Sequence, residues 1–417
     1  MGALVAALLG VLAGCEGPPE QVAPDAGPAD APPRPCNPPA PALDGGAMGA
    51  PDPAARGELA WAYRDPVLAF PFAQPAVGPD GTVYATASIR LFALAPADGS
   101  LLWQAPSAEA EPLIATPLVD ESGRILVAST QVALYAFAPD GKQLWRSQLA
   151  GGTGTVTAPV RLPHGFALGA GARVFWIDDC GQWIGTYDHS ARLSGDLAAA
   201  AEGTVYAGEP GAGAVVALGL DAKLRWRTVI GQAPGGLAVG PDGAVIVTTG
   251  SAGVVARLDG ASGAVRARVP LPARVGAPVL AADGTILVAA TQNGAPLGGR
   301  VYALAPADLS ERWHADLPGQ ITLLPAVTTA GVVLGISSGA QSSLLLLGDG
   351  GAVRFSTPCN GCSFVGTAPA LGADGNAYTS ALSRMVALRT PGVLDPRSAW
   401  PRARSADDAN RARSLLP

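Results

Sequence analysis

Eight short segments, each built around a turn glycine, recur along most of the chain. They are Gly81 (PDGTVYA), Gly123 (ESGRILVA), Gly165 (PHGFALG), Gly203 (AEGTVYA), Gly243 (PDGAVIV), Gly284 (ADGTILVA), Gly331 (TAGVVLG) and Gly375 (ADGNAYT). Successive glycines lie 38 to 47 residues apart. A period of this length is the signature of a repeat architecture. The 417 residues are therefore expected to form one array of similar units rather than unrelated domains.

Tryptophan residues recur with about the same period as the turn glycines and provide an independent marker of the repeat. They are Trp61 (GELAW), Trp103 (GSLLW), Trp145 (GKQLW), Trp226 (AKLRW) and Trp313 (LSERW). Three units keep the strand and replace the ring, with Gly185, Ala267 and Phe355 at the equivalent position. Each tryptophan is predicted to fill the space between neighbouring units, where its indole N–H can reach a backbone carbonyl.

Each unit is predicted to form four short strands separated by turns. The chain contains 54 glycines and 39 prolines, which favours short strands and tight turns over long helices. One such sheet cannot bury its apolar faces alone, and its edges invite aggregation. Radial stacking of the sheets as blades solves both problems. We therefore predict an all-β fold, an eight-bladed β-propeller of four-stranded blades, over residues 56–400.

The segment GELAWAY at Gly57–Tyr63 carries a tryptophan strand but has no unit before it. The eighth unit, in turn, runs from its third strand into an irregular segment, TPGVLDPRSAW. We predict that the N-terminal strand completes the last blade and closes the ring without a covalent bond.

The N-terminal residues differ in composition from the repeats. Residues 1–15 (MGALVAALLGVLAGC) resemble a lipoprotein signal peptide that ends in a lipobox, with Cys15 as the lipid attachment site. No Lys or Arg precedes Cys15, which departs from the usual pattern. Residues 16–55 are rich in Pro, Ala and Gly and are predicted to be a disordered tether. Residues 401–417 are predicted to be a polar tail. In the resembled family, Glu16 after the cysteine favours the outer membrane.

The unit "PAV…DGTVYA…LFALAPADGSLLW" resembles the tryptophan-docking repeat of pyrroloquinoline quinone (PQQ)-like eight-bladed propellers. That group includes quinoprotein dehydrogenases and the non-catalytic lipoproteins typified by the outer-membrane assembly factor BamB. The dehydrogenases hold their cofactor over a disulfide between adjacent cysteines and use a calcium-bound aspartate as the base. This chain has no adjacent cysteine pair. The resemblance therefore implies a BamB-like scaffold, with a quinoprotein dehydrogenase-like enzyme as the alternative.

The pair Cys359 and Cys362 in PCNGC is a candidate disulfide. A c-type haem site would need a histidine at Ser363, and zinc would need further ligands at short spacing. His164, His189 and His314 lie in different units. A local disulfide around an Asn-Gly turn is therefore the favoured interpretation. Cys36 and Cys180 could pair with each other, and the sequence does not decide it.

Two further motifs are weak candidates for catalysis. The GISSG around Ser337 has the pattern of a nucleophile elbow but lies in a strand repeat, so we expect a Gly/Ser turn. Asp178 and Asp179 are expected to be solvated acids of a hairpin loop. The sequence thus predicts no catalytic, cofactor-binding or metal site.

Charge excludes one class of function. The net charge is −6, and the only lysines are Lys142 and Lys223, so no basic patch for nucleic acid is expected. The sequence predicts a non-enzymatic, lipid-anchored and monomeric propeller of the bacterial envelope, periplasm-facing or surface-exposed, that binds a protein partner. A surface-displayed carbohydrate or peptide binder remains an alternative.

Overall fold

The chain folds into eight antiparallel sheets of four strands each. The computed structural model describes residues 59–401 except 66–71, 107–110, 114, 150–155, 190–191, 293–297, 340, 360–361 and 383. The predicted signal peptide with Cys15, the tether with Cys36 and nearly all of the polar tail lie outside the described residues. The described residues all belong to one compact unit, Asn37–Pro417.

The first strand, β1 (Leu59–Tyr63), is followed by blades 1 to 4 in chain order. Blade 1 contains β2 (Ala76–Val77), β3 (Val83–Ala87), β4 (Arg90–Leu94) and β5 (Leu101–Pro106). Blade 2 contains β6 (Leu118–Val119), β7 (Ile125–Ala128), β8 (Ala133–Phe137) and β9 (Gln143–Gln148). Blade 3 contains β10 (Val160–Leu162), β11 (Gly165–Ala170), β12 (Arg173–Ile177) and β13 (Trp183–Asp188). Blade 4 contains β14 (Ser194–Ala199), β15 (Val205–Glu209), β16 (Ala214–Leu218) and β17 (Leu224–Val229).

Blades 5 to 8 repeat the same order. Blade 5 contains β18 (Gly236–Val239), β19 (Val245–Thr249), β20 (Val254–Leu258) and β21 (Val265–Pro270). Blade 6 contains β22 (Ala273–Leu280), β23 (Ile286–Gln292), β24 (Gly299–Leu304) and β25 (Glu311–Leu317). Blade 7 contains β26 (Gln320–Thr328), β27 (Gly331–Ser338), β28 (Gln341–Leu347) and β29 (Val353–Cys359). Blade 8 contains β30 (Phe364–Leu371), β31 (Asn376–Ala381) and β32 (Arg384–Arg389), with β1 as its fourth strand.

Within each blade the strands are named A to D in spatial order from the axis outward. Strands A of neighbouring blades contact one another, as β26 does with β30 and β30 with β2, so they surround the axis. Strands B and C are almost entirely buried, as in β3 and β8. Strand D is the exposed edge, and β5 alternates exposed and covered residues. The apolar B and C strands thus form the cores between blades, and strand D forms the outer rim.

The ring closes between its two ends, as the sequence predicts. Strand β1 pairs antiparallel with β32, placing Trp61 opposite Ala387 and Tyr63 opposite Met385. The last blade is therefore completed by the first strand of the described chain. The fold class predicted from the sequence, an all-β eight-bladed propeller closed by an N-terminal strand, is confirmed.

Among the described residues, helix is confined to three short 3₁₀ turns at Pro210–Ala212, Gly250–Ala252 and Asp349–Gly351. Across the described part of the chain, no helix has the length and apolar character needed to span a bilayer.

After β32 the chain crosses the A–B turns of blades 7 and 6, next to the axis. Backbone bonds join Thr329 N–H to Val393 O at 2.9 Å and Val327 N–H to Pro401 O at 2.7 Å. Leu280 N–H donates to Trp400 O at 2.8 Å. The Trp400 side chain is 2% exposed and joins the apolar cluster of blades 4 to 6. Residues up to Pro401 are thus part of the folded ring.

Candidate functional site

The five predicted tryptophans all lie between blades and face the following blade. Trp61 Nε1 donates to Pro96 O at 2.7 Å, Trp103 Nε1 to Pro139 O at 2.8 Å and Trp226 Nε1 to Gly260 O at 2.8 Å. Each acceptor belongs to the C–D turn of the next blade. The indole ring therefore links strand D of one blade to a turn of its neighbour.

Each of these rings also lies against a glycine in that turn. The glycines are Gly99 under Trp61, Gly141 under Trp103, Gly181 under Trp145, Gly263 under Trp226 and Gly351 under Trp313. A Cβ atom on Gly263 would lie 2.6 Å from Trp226 Cδ2, which is closer than van der Waals contact. The sequence analysis did not predict that the rings pack on these glycines, although each glycine lies four residues before the next unit's tryptophan position.

Blade 3 replaces the docking ring by a different arrangement. Gly185 occupies the tryptophan position of strand D and lies opposite Trp176 of strand C. Trp176 is 1% exposed, whereas Trp183 at the start of strand D is 42% exposed. Blade 3 thus lacks the ring on strand D and has a large buried ring, Trp176, on the neighbouring strand C. The spacing of the strand D tryptophans could not predict this.

The candidate disulfide joins Cys359 and Cys362 with a Cα–Cα separation of 5.4 Å. Both residues are buried and belong to the core between blades 7 and 8. Cys359 ends strand D of blade 7, far out from the axis. Cys180 is also disulfide-bonded. Its suggested pairing with Cys36 stays a prediction, because Cys36 lies outside the described residues.

The expectation that Asp178 and Asp179 are merely solvated acids is wrong. Arg124 donates to Asp179 Oδ1 at 2.6 Å and Arg161 at 2.9 Å. Asp178 accepts the backbone N–H of Cys180 at 2.9 Å. The two arginines come from the A–B region of blades 2 and 3, so folding brings them to a turn that is distant in sequence. Asp179 therefore ties blade 3 to blade 2.

The Ser337 motif is not a turn, contrary to expectation, because Gly335–Ser338 complete strand β27 and only Gly339 begins the hairpin. Ser337 pairs with Ser342 in the neighbouring strand. Its hydroxyl donates to Gly339 O at 3.4 Å. The strand-to-helix geometry of a nucleophile elbow is thus not formed at this serine.

Two buried glutamates were missed by the sequence analysis. Glu209 accepts from Arg227 Nε at 2.7 Å and contacts His189 Nδ1 at 3.0 Å. Burial raises the pKa of Glu209, but the hydrogen bonds from His189 and Arg227 outweigh it and hold that pKa below its usual value. Burial lowers the pKa of His189 although Glu209 opposes it.

The second buried glutamate is Glu111, which accepts hydrogen bonds from Arg146 and from the hydroxyl of Ser129. Burial raises the pKa of Glu111, but the hydrogen bonds from Ser129 and Arg146 outweigh that effect and hold the pKa below its usual value. Both glutamates therefore pair with an arginine, and Glu209 also contacts His189, which follows the last strand of blade 3. Within the ranges that the structure describes, no three His, Cys, Asp or Glu side chains converge as metal ligands would.

Part of the chain matches a known protein family. Residues 211–361, from the B–C turn of blade 4 to the end of blade 7, match the family model described as "Outer membrane protein assembly factor BamB". A search of curated proteins returned no match.

Solved structures show the same fold at low sequence identity. BamB from Moraxella catarrhalis matches with a TM-score of 0.59 and 14% identity over 80% of this chain and 99% of that one. The computationally designed protein Ika8 matches with a TM-score of 0.65 and 15% identity over 80% of this chain and 100% of that one. Sqt1 from Chaetomium thermophilum, solved with the N-terminus of ribosomal protein L10, matches with a TM-score of 0.60 and 13% identity, over 80% and 100%. The chain is thus an eight-bladed propeller similar to BamB, and the resemblance inferred from the sequence is confirmed at that level.

Proposed function

We propose that this chain is a non-enzymatic, lipid-anchored propeller of the bacterial envelope that acts as a protein-binding scaffold. The observation that carries the proposal is the match of blades 4 to 7 to the family model of the outer-membrane protein assembly factor BamB. The eight-bladed ring supports it, since a rigid ring presents many loops and edges while its own core stays fixed.

The anchor and location rest on the N-terminal sequence. Cys15 is the expected acylation site, and the Pro-rich residues 16–55 would hold the ring away from the membrane. Acylation is tested by comparing the full chain with Cys15→Ala in fractionated cells. The native chain is expected in the outer-membrane fraction and the variant in the soluble envelope fraction. An unchanged distribution would contradict the anchor.

The scaffold role is tested by chemical crosslinking of the full chain in its native envelope, followed by identification of the captured proteins. Recovery of a defined set of envelope proteins, including barrel-assembly components, supports the proposal. A chain that captures no protein at all would contradict it.

The absence of catalysis is a separate part of the proposal. It is supported by the position of the Cys359–Cys362 disulfide, which lies on the outer strand of blade 7 rather than at the axis. The purified full chain is expected to give no dye reduction with calcium, pyrroloquinoline quinone and an alcohol or sugar. Quinone-dependent turnover would instead favour a dehydrogenase.

A further inference from the structure

One position of strand D divides the ring into two halves. It is the residue just before the tryptophan position. It is apolar in blades 8, 1, 2 and 3, as Ala60, Leu102, Leu144 and Ile184, and it is arginine in blades 4 to 7, as Arg225, Arg266, Arg312 and Arg354. The outer rim thus has an apolar half and a basic half.

The apolar half is open to solvent. Leu102 is 53% exposed and Ile184 57% exposed. With their exposed neighbours they form what we call the apolar rim: Leu59, Leu101, Leu102, Leu144, Trp183 and Ile184. Exposed apolar residues on neighbouring elements, unlike scattered ones, mark interaction sites.

The arginines of the basic half have their charges balanced within the ring. Each pairs with an aspartate: Arg225 with Asp221 at 2.9 Å, Arg266 with Asp259 at 2.8 Å, Arg312 with Asp283 at 2.6 Å and Arg354 with Asp349 at 3.2 Å. The arginine charges of the basic half are therefore neutralised by its own carboxylates, although Leu224, Val265 and Val353 are also exposed there.

The apolar half keeps the acids and lacks the arginines. Asp98 and Asp140 lie four residues before Leu102 and Leu144, the same spacing as Asp221 before Arg225. They accept the backbone N–H groups of Ser100 at 2.9 Å and Lys142 at 3.0 Å. Within the described ranges neither forms an ion pair. The apolar rim therefore combines leucine side chains with carboxylates that can take an external cation.

The backbone of this half is also available for pairing. Strands β5, β9 and β13 are the outer strands of their sheets, and each pairs with strand C on one side only. An extended segment can add to such an edge through main-chain hydrogen bonds, with its alternate side chains setting specificity.

From these observations we infer that the apolar rim binds an extended segment of a protein partner in which apolar residues alternate with Lys or Arg. The inference rests on the proposed scaffold function and names the chemistry of its partner. A second copy of this chain fits less well, because it would bring Asp98 and Asp140 against a chain of net charge −6. The apolar residues would pack on Leu102 or Leu144 of the edge strand that the segment joins, and the basic ones would pair with Asp98 or Asp140 of the same blade.

A binding titration tests the chemistry with the full chain and labelled peptides of about eight residues, the length of a long strand. A peptide of alternating valine and lysine is expected to bind about tenfold more tightly than one of valine and glutamate, a difference of about 1.4 kcal/mol. The triple variant Leu102→Gln, Leu144→Gln, Ile184→Gln is expected to lose about tenfold in affinity.

The matched control is Leu224→Gln, Val265→Gln, Val353→Gln, which removes equally exposed apolar residues from the other half. It is expected to bind like the native chain. Both triple variants are expected to melt within a few degrees of the native chain, because the replaced side chains are exposed. Equal binding of the two peptides, or equal loss in both variants, would overturn the inference.

A second experiment separates this inference from the scaffold proposal. A photo-crosslinking amino acid is placed at Leu144 or at Val265 of the full chain in its native envelope, and the attached segment is sequenced. The inference expects adducts from Leu144 only, on segments that alternate apolar and basic residues. Adducts to lipid, to a second copy or to an acidic segment would overturn it. Partners captured only from Val265 would overturn it while leaving the scaffold proposal standing.

Discussion

The indole nitrogen of Trp61 lies 2.7 Å from the carbonyl oxygen of Pro96. Trp61 belongs to β1, which completes blade 8, and Pro96 belongs to the C–D turn of blade 1. The same bond recurs from Trp103 to Pro139 within the ring. The junction that closes the ring is therefore built with the contact used between blades that follow one another in sequence.

Replacing a docking tryptophan should separate the contribution of its ring from that of its N–H. Trp226 is 9% exposed, so Trp226→Ala is expected to lower the free energy of unfolding by about 3 kcal/mol. Trp226→Phe keeps most of the apolar contact and should cost about 1 kcal/mol for the lost hydrogen bond. Urea denaturation measures both, with the exposed Trp183→Phe as the control. Equal effects of Trp226→Ala and Trp226→Phe would contradict the role of the ring.

The glycine beneath the ring offers a matched pair of variants. Gly263 and Gly243 have similar backbone angles, φ 73° and 75°, so alanine strains both by about 1 kcal/mol. A Cβ on Gly263 meets Trp226, whereas one on Gly243 meets nothing within 4 Å. Gly263→Ala is therefore expected to lower the free energy of unfolding by about 1–3 kcal/mol more than Gly243→Ala does. Equal shifts in the denaturation midpoint would mean that the ring moves aside freely.

Acid should weaken the junction of His189 with Glu209. The pKa of His189 is lowered in the folded chain by burial, despite Glu209. Unfolded His189 therefore takes up a proton first as the pH falls below about 6.5, which favours unfolding. The stability from Glu209, whose folded pKa is lowered by His189 and Arg227 against burial, is lost further down, below about 4.5.

His189→Gln is expected to flatten the dependence of the melting temperature on pH between about 5 and 7. His164→Gln, at an exposed turn, controls for the loss of a histidine. A melting temperature that falls just as steeply in the His189→Gln variant would show that other groups govern acid sensitivity.

The C-terminal segment should contribute to stability through Trp400. Trp400→Ala is expected to cost about 3 kcal/mol, since the side chain is almost fully buried. Its Nε1 has no hydrogen-bond partner among the described residues, so Trp400→Phe should be nearly neutral, in contrast to Trp226→Phe. Denaturation of the two variants beside the exposed Arg389→Ala measures this. A neutral Trp400→Ala would show that the segment is dispensable.

The periodic features were predictable because each blade repeats the same local chemistry. Turn glycines such as Gly243 recur every 38 to 47 residues, and most units carry a tryptophan in strand D, so the number of blades could be read from the spacing. The strand around Trp61 had no unit of its own, and pairing with β32 was the one place left for it.

Features that occur once could not be predicted in this way. Trp400 lies outside the repeat, and its burial depends on how the chain returns over blades 7 and 6. Asp179 meets Arg124 and Arg161 only after two blades are stacked. Glu209 ends strand β15, and its partners are Arg227 of β17 and His189, which follows β13. Such contacts depend on tertiary structure, and a single sequence carries no spacing signal for them.

The pairing of β1 with β32 also has a consequence for biogenesis. A chain that is synthesised from its N-terminus delivers Trp61 more than 300 residues before Ala387. Until then β1 has no partner strand and the inner blades form an open arc with two uncovered ends. Quality-control proteases and holding chaperones would therefore have their longest opportunity to act before the final strands emerge, and an interrupted message would yield an arc that cannot shut.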